Sequence, residues 1–262
     1  MSTEQRFDGA IRLPAGTVAV VTGGGRGIGA AFVEGLARAG AACYIADVID
    51  DGQLLADRLT GEGLDVTFRR TDVTDRSSLD ALVAACRERH GRLDVLVNNA
   101  SIYQDLGSKR PFHEIDPADW DRVMAVNVKG TWLASASARE LLEASPAGRI
   151  ISVASSTVHM GVPYFAHYVA SKAAVMGLTR SLAKELGHAG VTVNAIAPGL
   201  VDTEATRTVN DPGYLATAAE RRAIPRIQVP GDLVGAALFL ASAASSFITG
   251  QTLVVDGGAT FV

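Results

Sequence analysis

A tyrosine and a lysine stand four residues apart in the segment Tyr168-Val-Ala-Ser-Lys172. On a helix, this spacing puts both side chains on one face. A tyrosine with an ordinary pKa of about 10 is about one part in a thousand phenolate at neutral pH, too little for an efficient base. An ammonium about 4 Å away attracts the phenolate by about 4 kcal/mol, enough to lower the pKa by about 3. The pair therefore predicts proton transfer near neutral pH.

Ser155 supplies a second reactive group, 13 residues before Tyr168. It follows the predicted strand 149–153, and ligands bind at the carboxyl ends of strands in open parallel sheets. We expect its hydroxyl to hold a substrate oxygen while Tyr168 exchanges the proton. Ser156 is the neighbouring candidate, and a strand-end serine without a chemical role is the structural alternative.

A glycine-rich segment, Thr22-Gly-Gly-Gly-Arg-Gly-Ile-Gly29, joins a predicted strand to a predicted helix. Glycines let the backbone approach a phosphate, and the amides of a helix N-terminus supply hydrogen-bond donors and a positive dipole. The spacing Gly25-x-Gly27-x-x-Ala30 matches the pattern of dinucleotide-binding turns. The segment predicts a pyrophosphate site, and a tight turn without a ligand is the alternative.

Asp47 stands 20 residues beyond Gly27, at the end of the second predicted strand. An acidic side chain at this place accepts hydrogen bonds from the ribose hydroxyls of NAD and repels the 2′-phosphate of NADP. Arg26, beside the glycines, would favour NADP. Because the charge of Asp47 lies against the 2′ position itself, we predict NAD; a helix-capping or solvated aspartate is the alternative.

Short apolar runs alternate with longer amphipathic segments along the chain. The predicted strands are 17–22, 42–47, 65–70, 93–98, 149–153, 191–197 and 252–256. The predicted helices are 27–39, 50–60, 75–89, 117–142, 163–187 and 232–241. This alternation predicts an α/β fold with a doubly wound parallel sheet and helices on both faces. Residues 1–16 form a predicted polar arm, 17–262 a single domain, and about 200–230 a substrate lid.

Composition narrows the function classes. The 262 residues carry a formal net charge of -4 and are 48% hydrophobic, which gives no basic surface for nucleic acid. No segment is long and apolar enough to predict a membrane span. Two cysteines, Cys43 and Cys86, form no metal or redox motif, and the five histidines include no His-x-x-x-His pair. We therefore expect a cytoplasmic enzyme that acts on a small molecule without a metal.

With these residues together, the chain resembles the short-chain dehydrogenase/reductase family from about residue 17 to residue 258. The resemblance implies a Rossmann-type sheet of seven strands. The matching residues are Thr22, Gly23, Gly27, Gly29, Asp72, Val73, Asn98, Asn99, Ala100, Asn127, Ser155, Tyr168, Lys172, Pro198, Gly199 and Thr203. Ser101 departs from the family, which commonly has glycine there, and leaves the chemistry in place.

The resemblance also implies roles. Asn127, Ser155, Tyr168 and Lys172 would be the catalytic set; Lys172 would also bind the nicotinamide ribose, and Asn127 would hold a water that connects Lys172 to solvent. The expected cofactor-binding residues are Gly23, Arg26, Gly27, Ile28, Gly29, Asp47, Val48, Asp72, Val73, Asn99, Ala100, Tyr168, Lys172, Pro198, Gly199, Val201 and Thr203. The long helices 117–142 and 163–187 would pair between subunits of a homotetramer, and the C-terminal segment would add a second contact.

Within the family, the stretches 223–230 and 246–251 look most like secondary-alcohol dehydrogenases of the 1-phenylethanol dehydrogenase kind. We therefore expect a secondary alcohol or its ketone as substrate. The predicted substrate pocket contains Tyr103, Ser155, Thr157, Tyr164 and Phe165, with His159 as a further candidate. His167 is predicted to lie on the helix surface.

Two other functions stay open. A 3-oxoacyl-thioester reductase of the same fold would need a basic patch for an acidic acyl-carrier partner. Such a patch could be formed by the lid arginines Arg207, Arg221, Arg222 and Arg226, which could equally be solvated charges. A non-catalytic dinucleotide sensor is the third reading, and the complete catalytic set argues against it.

Overall fold

The computed structural model describes residues 11–103, 109–211 and 213–262. Within them, seven strands form one parallel sheet in the order β3-β2-β1-β4-β5-β6-β7. The strands are β1 (Val18–Thr22), β2 (Ala42–Asp47), β3 (Val66–Arg70), β4 (Val95–Asn98), β5 (Arg149–Val153), β6 (Thr192–Pro198) and β7 (Thr252–Val255). The predicted doubly wound α/β fold is confirmed, and each strand end lies within two residues of its prediction.

Ten α-helices occur in the described residues. They are α1 (Gly27–Arg38), α2 (Asp51–Gly61), α3 (Arg76–His90), α4 (Pro117–Val123), α5 (Thr131–Ala144), α6 (Thr157–Met160), α7 (Ala166–Leu186), α8 (Glu204–Val209), α9 (Tyr214–Glu220) and α10 (Gly231–Ala241). None of the helices in this part of the chain is long and apolar enough to cross a membrane.

Strand β1 shows why the strands are apolar without a break. Val18 and Val20 pack into the layer formed with α3, α5 and α7, whereas Ala19 and Val21 pack into the layer formed with α1, α2 and α10. Successive side chains of a strand point to opposite faces, and here helices bury both faces.

The strand order reverses at β1, which has β2 on one side and β4 on the other. In such sheets a crevice opens outside the carboxyl ends of the strands at this point. Thr22 and Asn98 pair at these ends, so the glycine-rich turn and the Asn99-Ala100 segment emerge side by side.

Two predicted helices differ from the structure. The predicted helix 117–142 consists of α4, a π-helical turn over Met124–Gly130, and α5. Apolar periodicity shows which face of a helix is buried. It does not show whether the backbone hydrogen bonds span four residues or five, so the sequence did not reveal the π turn. The predicted helix 163–187 begins only at Ala166, because Tyr164 has a φ of 64°, outside the helical region.

The predicted lid, residues 200–230, contains two short helices, α8 and α9, that are too short to show clear periodicity. At the other end of the chain, residues 1–10 of the predicted arm lie outside the described residues. Leu13, also placed in that arm, is buried, and its N–H donates to the carbonyl of Ala39 at 3.0 Å. The packed part of the chain therefore begins before Thr17.

Candidate active site

The glycine-rich turn after β1 is held against the end of β4. The hydroxyl of Thr22 accepts the N–H groups of Asn99 and Ala100, both at 3.1 Å, and the Asn99 amide donates to the carbonyl of Gly23 at 2.8 Å. A Cβ on Gly23 would lie 2.7 Å from the Cα of Ala100, and a Cβ on Gly29 would lie 2.0 Å from the carbonyl oxygen of Gly23. Only glycine therefore fits at both positions.

Helix α1 begins directly after this turn. No side chain in the described residues caps its N-terminus, and its first turn contains no acidic residue. Gly27, Ile28 and Gly29 of that first turn line a cavity. The first amides of a helix have no partner within the helix, so this end suits a diphosphate.

Asp47 ends β2 beside the glycine turn and is 9% exposed. One carboxylate oxygen accepts the N–H of Gly25 at 2.9 Å, and the other accepts the N–H of Val48 at 2.7 Å. Asp47 therefore braces the turn as well as lining the cavity.

The cavity has a volume of about 1020 Å³ and runs along the carboxyl ends of the strands. Pockets for small molecules commonly measure about 300–1,000 Å³, so there is room for a dinucleotide with a compact substrate. Every residue predicted to bind the cofactor lines this cavity. The same holds for four of the five predicted substrate residues, namely Tyr103, Ser155, Thr157 and Phe165.

Tyr168, in the first turn of α7, is 8% exposed and lies between aromatic rings. Its ring centroid is 5.2 Å from that of Tyr103 and 4.9 Å from that of Phe165. Ser155, just beyond β5, lies beside the Tyr168 hydroxyl and accepts the hydroxyl of Thr157 at 3.0 Å. The serine and the tyrosine predicted to act together therefore meet at one end of the cavity.

The ionisation of Tyr168 differs from the sequence-based prediction. Burial raises its pKa above the ordinary value, the neighbouring Tyr103 adds to this, and the hydrogen bond with Ser155 acts in the opposite direction. The ammonium of Lys172 lies 5.6 Å from the phenol ring centroid and donates to the carbonyl of Val153 at 2.8 Å. The expectation that this ammonium alone lowers the pKa of Tyr168 is wrong here, because desolvation of the phenol dominates.

Burial also changes Lys172, which is 3% exposed. Desolvation lowers the pKa of its ammonium to about 8. Both groups are thus shifted toward their neutral forms, and Tyr168 retains its proton at neutral pH.

Asn127 occupies the π-helical turn and is 1% exposed. Its side-chain oxygen accepts the N–H of Ile102 at 2.8 Å, and its amide donates to the hydroxyl of Ser171 at 3.1 Å. Asn127 is not among the described residues that line the cavity. It therefore joins the segment after β4 to helix α7 from behind the reaction centre.

Three aromatic predictions need correction or qualification. Tyr164 is 57% exposed and, like His159, is absent from the described lining of the cavity. Tyr164 has a left-handed backbone and lies just before helix α7, with its side chain exposed. His167, predicted on the surface, is 4% exposed because α4 packs against α7, and desolvation lowers its pKa.

The base of the lid is fixed to the sheet. The guanidinium of Arg222, 7% exposed, donates to the carbonyls of Leu200 at 2.7 Å and Arg226 at 3.0 Å. The Gln228 amide donates to the carbonyl of Val255 in β7 at 2.7 Å. Helices α8 and α9 therefore extend from a braced base, and Thr203 at the start of α8 lies beside Gly27 in the cavity wall.

Some lining residues were not anticipated from the sequence. Examples are Lys109, Met160, Tyr214 and Ala259. They come from loops and short helices without a motif, and chain segments about a hundred residues apart meet here, as in the bond between Lys109 and Asn210.

Comparison with known proteins identifies the family. Residues 23–260 match the family described as enoyl-(acyl carrier protein) reductase. The chain is 41% identical over 245 residues to cis-4-hydroxycyclohexanecarboxylate dehydrogenase of Sinomonas cyclohexanicum, covering 94% of this chain and 97% of the relative. It is 36% identical to a 3-oxoacyl-(acyl-carrier-protein) reductase of Chlamydia pneumoniae, covering 94% and 98%.

Among solved structures, a gluconate 5-dehydrogenase from Burkholderia cenocepacia J2315, in complex with NADP and tartrate, superimposes with a TM-score of 0.88 at 36% identity. The match covers 95% of this chain and 96% of the other. Fold and site thus define an α/β oxidoreductase that uses a nicotinamide dinucleotide. The chain belongs to the short-chain dehydrogenase/reductase family and acts on CH–OH groups.

Proposed function

We propose that this enzyme interconverts a secondary alcohol and its ketone, with Tyr168 as the general acid and base and NAD(H) as the hydride carrier. The observation that carries the proposal is the convergence of Ser155, Tyr168 and Lys172 on the cavity that contains the glycine-rich turn. When bound, the nicotinamide supplies the hydride acceptor or donor.

The residues divide the work by position. Tyr168, protonated at neutral pH, gives its proton to the substrate oxygen in ketone reduction and removes it in alcohol oxidation. Ser155, beside the Tyr168 hydroxyl, holds the same oxygen. Lys172 lies one helical turn beyond the phenol and binds the cofactor ribose. Asn127 fixes α7 to the segment after β4 through its hydrogen bonds with Ile102 and Ser171.

Asp47 supports NAD as the preferred cofactor. Its carboxylate is fixed by two backbone amides at the cavity wall, and a 2′-phosphate placed against it would meet like charge. The Burkholderia relative was solved with NADP, so the preference has to be measured for this chain.

A compact secondary alcohol is supported by the aromatic wall of Tyr103, Phe165 and Tyr168. The Sinomonas and Burkholderia relatives are named for small hydroxy acids.

The structure weakens the case for an acyl-carrier partner. Arg207 is ion-paired with Asp202 at 2.7 Å and Arg226 with Asp232 at 2.6 Å, while Arg222 is buried. Three of the four lid arginines are therefore paired or buried and do not contribute to a basic patch.

The test is a comparison of kcat/KM for compact cyclic and acetophenone-like ketones against acetoacetyl thioesters, each with NADH and NADPH. We expect the compact ketones and NADH to be preferred. A thioester advantage of tenfold or more would establish the acyl-thioester reaction instead. Cofactor binding without turnover of any substrate would establish a sensor.

A further inference from the structure

Within the proposed function, on which this step rests, we infer that Lys109 selects a substrate bearing a carboxylate. Lys109 is half-buried, lines the cavity and lies between β4 and α4. Its ammonium donates to the side-chain oxygen of Asn210 at 3.0 Å and lies 4.5 Å from the ring centroid of Tyr214. Both partners belong to the lid, so the lid holds this cation in place.

The partners of Lys109 leave its charge uncompensated. An ammonium has three donors, of which the amide oxygen of Asn210 takes one. In the part of the chain that the structure describes, no carboxylate lies within 4.0 Å of Lys109. A partly buried charge favours a partner of opposite sign, and a carboxylate in the cavity supplies both that charge and acceptors for the remaining donors.

Other cations of the cavity are committed elsewhere. Lys172 donates to the carbonyl of Val153 in the reaction centre, and Arg222 donates to two carbonyls at the base of the lid. Arg122 is ion-paired with Asp119 at 3.1 Å. Arg26 lies in the glycine-rich turn, and Arg221 is exposed at the rim. Lys109 is therefore the cation best placed to read an anionic substrate group.

The position of Lys109 also indicates where the carboxylate lies. Asn210, which holds Lys109, donates to the hydroxyl of Tyr103 at 3.4 Å, and the Tyr103 ring packs against Tyr168. Two residues thus stand between the cation and the phenol that transfers the proton. The substrate class is a compact ketone or alcohol whose carboxylate is separated by several bonds from the reacting carbon.

The test compares 4-oxocyclohexanecarboxylate with its neutral carboxamide, which has nearly the same shape. Wild type should prefer the carboxylate by about tenfold or more in kcat/KM, since a charge-assisted hydrogen bond contributes about ten- to a hundredfold. Lys109→Met should bring the ratio close to one, mainly through KM. Asn210→Asp, which gives Lys109 a carboxylate of its own, should also reduce the ratio, whereas Lys109→Arg should keep most of it.

Lys184→Met is the matched control, because Lys184 is exposed on α7 and is not among the described residues that line the cavity. It should keep the wild-type preference for the carboxylate. If Lys109→Met lowers kcat/KM equally for the carboxylate and the carboxamide, the inference is overturned and Lys109 only anchors the lid. Loss of the preference in Arg221→Met instead of Lys109→Met would also overturn it. Wild type that reduces both ketones equally contradicts this inference alone, whereas turnover of neither, with NADH or NADPH, contradicts the proposed function as well.

Discussion

At the scale of single residues, burial governs the chemistry of the reaction centre. It raises the pKa of Tyr168 and lowers that of Lys172, so it favours the neutral form of both groups. A protonated phenol needs no further activation to act as an acid in ketone reduction. Alcohol oxidation requires the phenol to lose its proton, so its rate should increase with pH.

Tyr168→Phe removes only the hydroxyl that we propose to transfer the proton. We expect kcat to fall by about 10²–10⁴-fold while cofactor affinity stays nearly unchanged. Steady-state kinetics with cofactor titration would measure both. Lys172→Ala is the comparison variant and should reduce cofactor affinity as well as kcat. A Tyr168→Phe enzyme that retains more than a tenth of the wild-type kcat would refute the assignment.

Asp47 determines the expected choice between NAD and NADP. Wild type should favour NAD by at least about tenfold in kcat/KM, because a charge-assisted hydrogen bond contributes about 1.5–3 kcal/mol. Asp47→Ala should remove most of this preference. It should also weaken the binding of both cofactors, since the N–H of Gly25 loses its acceptor. Asp47→Asn removes the charge but keeps an acceptor for the N–H of Gly25. This variant therefore tests the effect of the charge apart from the bracing of the turn. Val48→Arg should move the preference toward NADP.

Equal kcat/KM for NAD and NADP in wild type would show that Asp47 does not contact the ribose.

At the scale of elements, the lid depends on its braced base more than on its own helices. Helices α8 and α9 contain six and seven residues and would be marginal alone. The guanidinium of Arg222 connects both ends of the lid through the carbonyls of Leu200 and Arg226. We therefore expect substrate closure to move α8 and α9 while the base stays in place.

Arg222→Met should leave these two carbonyls without a donor. We expect a loss of about 1–3 kcal/mol in the free energy of unfolding, with KM for the substrate raised more than kcat is lowered. Urea unfolding and steady-state kinetics would measure the two effects. Arg207→Met, which breaks only an exposed pair with Asp202, should leave the free energy of unfolding nearly unchanged. Equal effects of the two substitutions would contradict this role of Arg222.

At the scale of the whole molecule, the buried ammonium of Lys172 makes stability depend on pH. Its pKa of about 8 in the folded chain lies below the ordinary value of 10.5. Between these values the unfolded chain binds more protons, so stability increases as pH rises from about 8 to about 10.5. Below about 8 both states are charged, and the full cost of burying the charge is present.

Lys172→Met should therefore be more stable than wild type at pH 7, by an amount on the order of 3 kcal/mol. The difference should shrink as pH approaches 10.5. Urea unfolding of both proteins without cofactor at several pH values would measure this. A difference that stays constant from pH 7 to 10 would show that Lys172 is not desolvated in solution.

Assembly is the other property at this scale. Trp132 on α5 is 47% exposed and Trp120 on α4 is 39% exposed, which is unusual for such large apolar groups. We expect these helices to contact other subunits in a homotetramer. Light scattering after size-exclusion chromatography should give four times the 27.3 kDa chain mass, and Trp132→Arg should give smaller species. A wild-type monomer at micromolar concentration would refute the tetramer.

The sequence alone determined the sheet, the cofactor edge and the candidate catalytic residues. Strands buried on both faces are continuous apolar runs, and the glycines of the turn after β1 are required by contacts that only glycine permits. Spacing along one helix also placed Tyr168 and Lys172 one turn apart. These features follow from local geometry, which the order of residues records directly.

The tertiary structure decided the rest. The pKa of Tyr168 depends on burial beneath Tyr103, and the pairing of Lys109 with Asn210 joins segments about a hundred residues apart. The buried place of His167 depends on α4 packing over α7, and the position of Asn127 depends on a π-helical turn. Desolvation and long-range contacts arise only when distant segments meet, so no local pattern in the sequence records them.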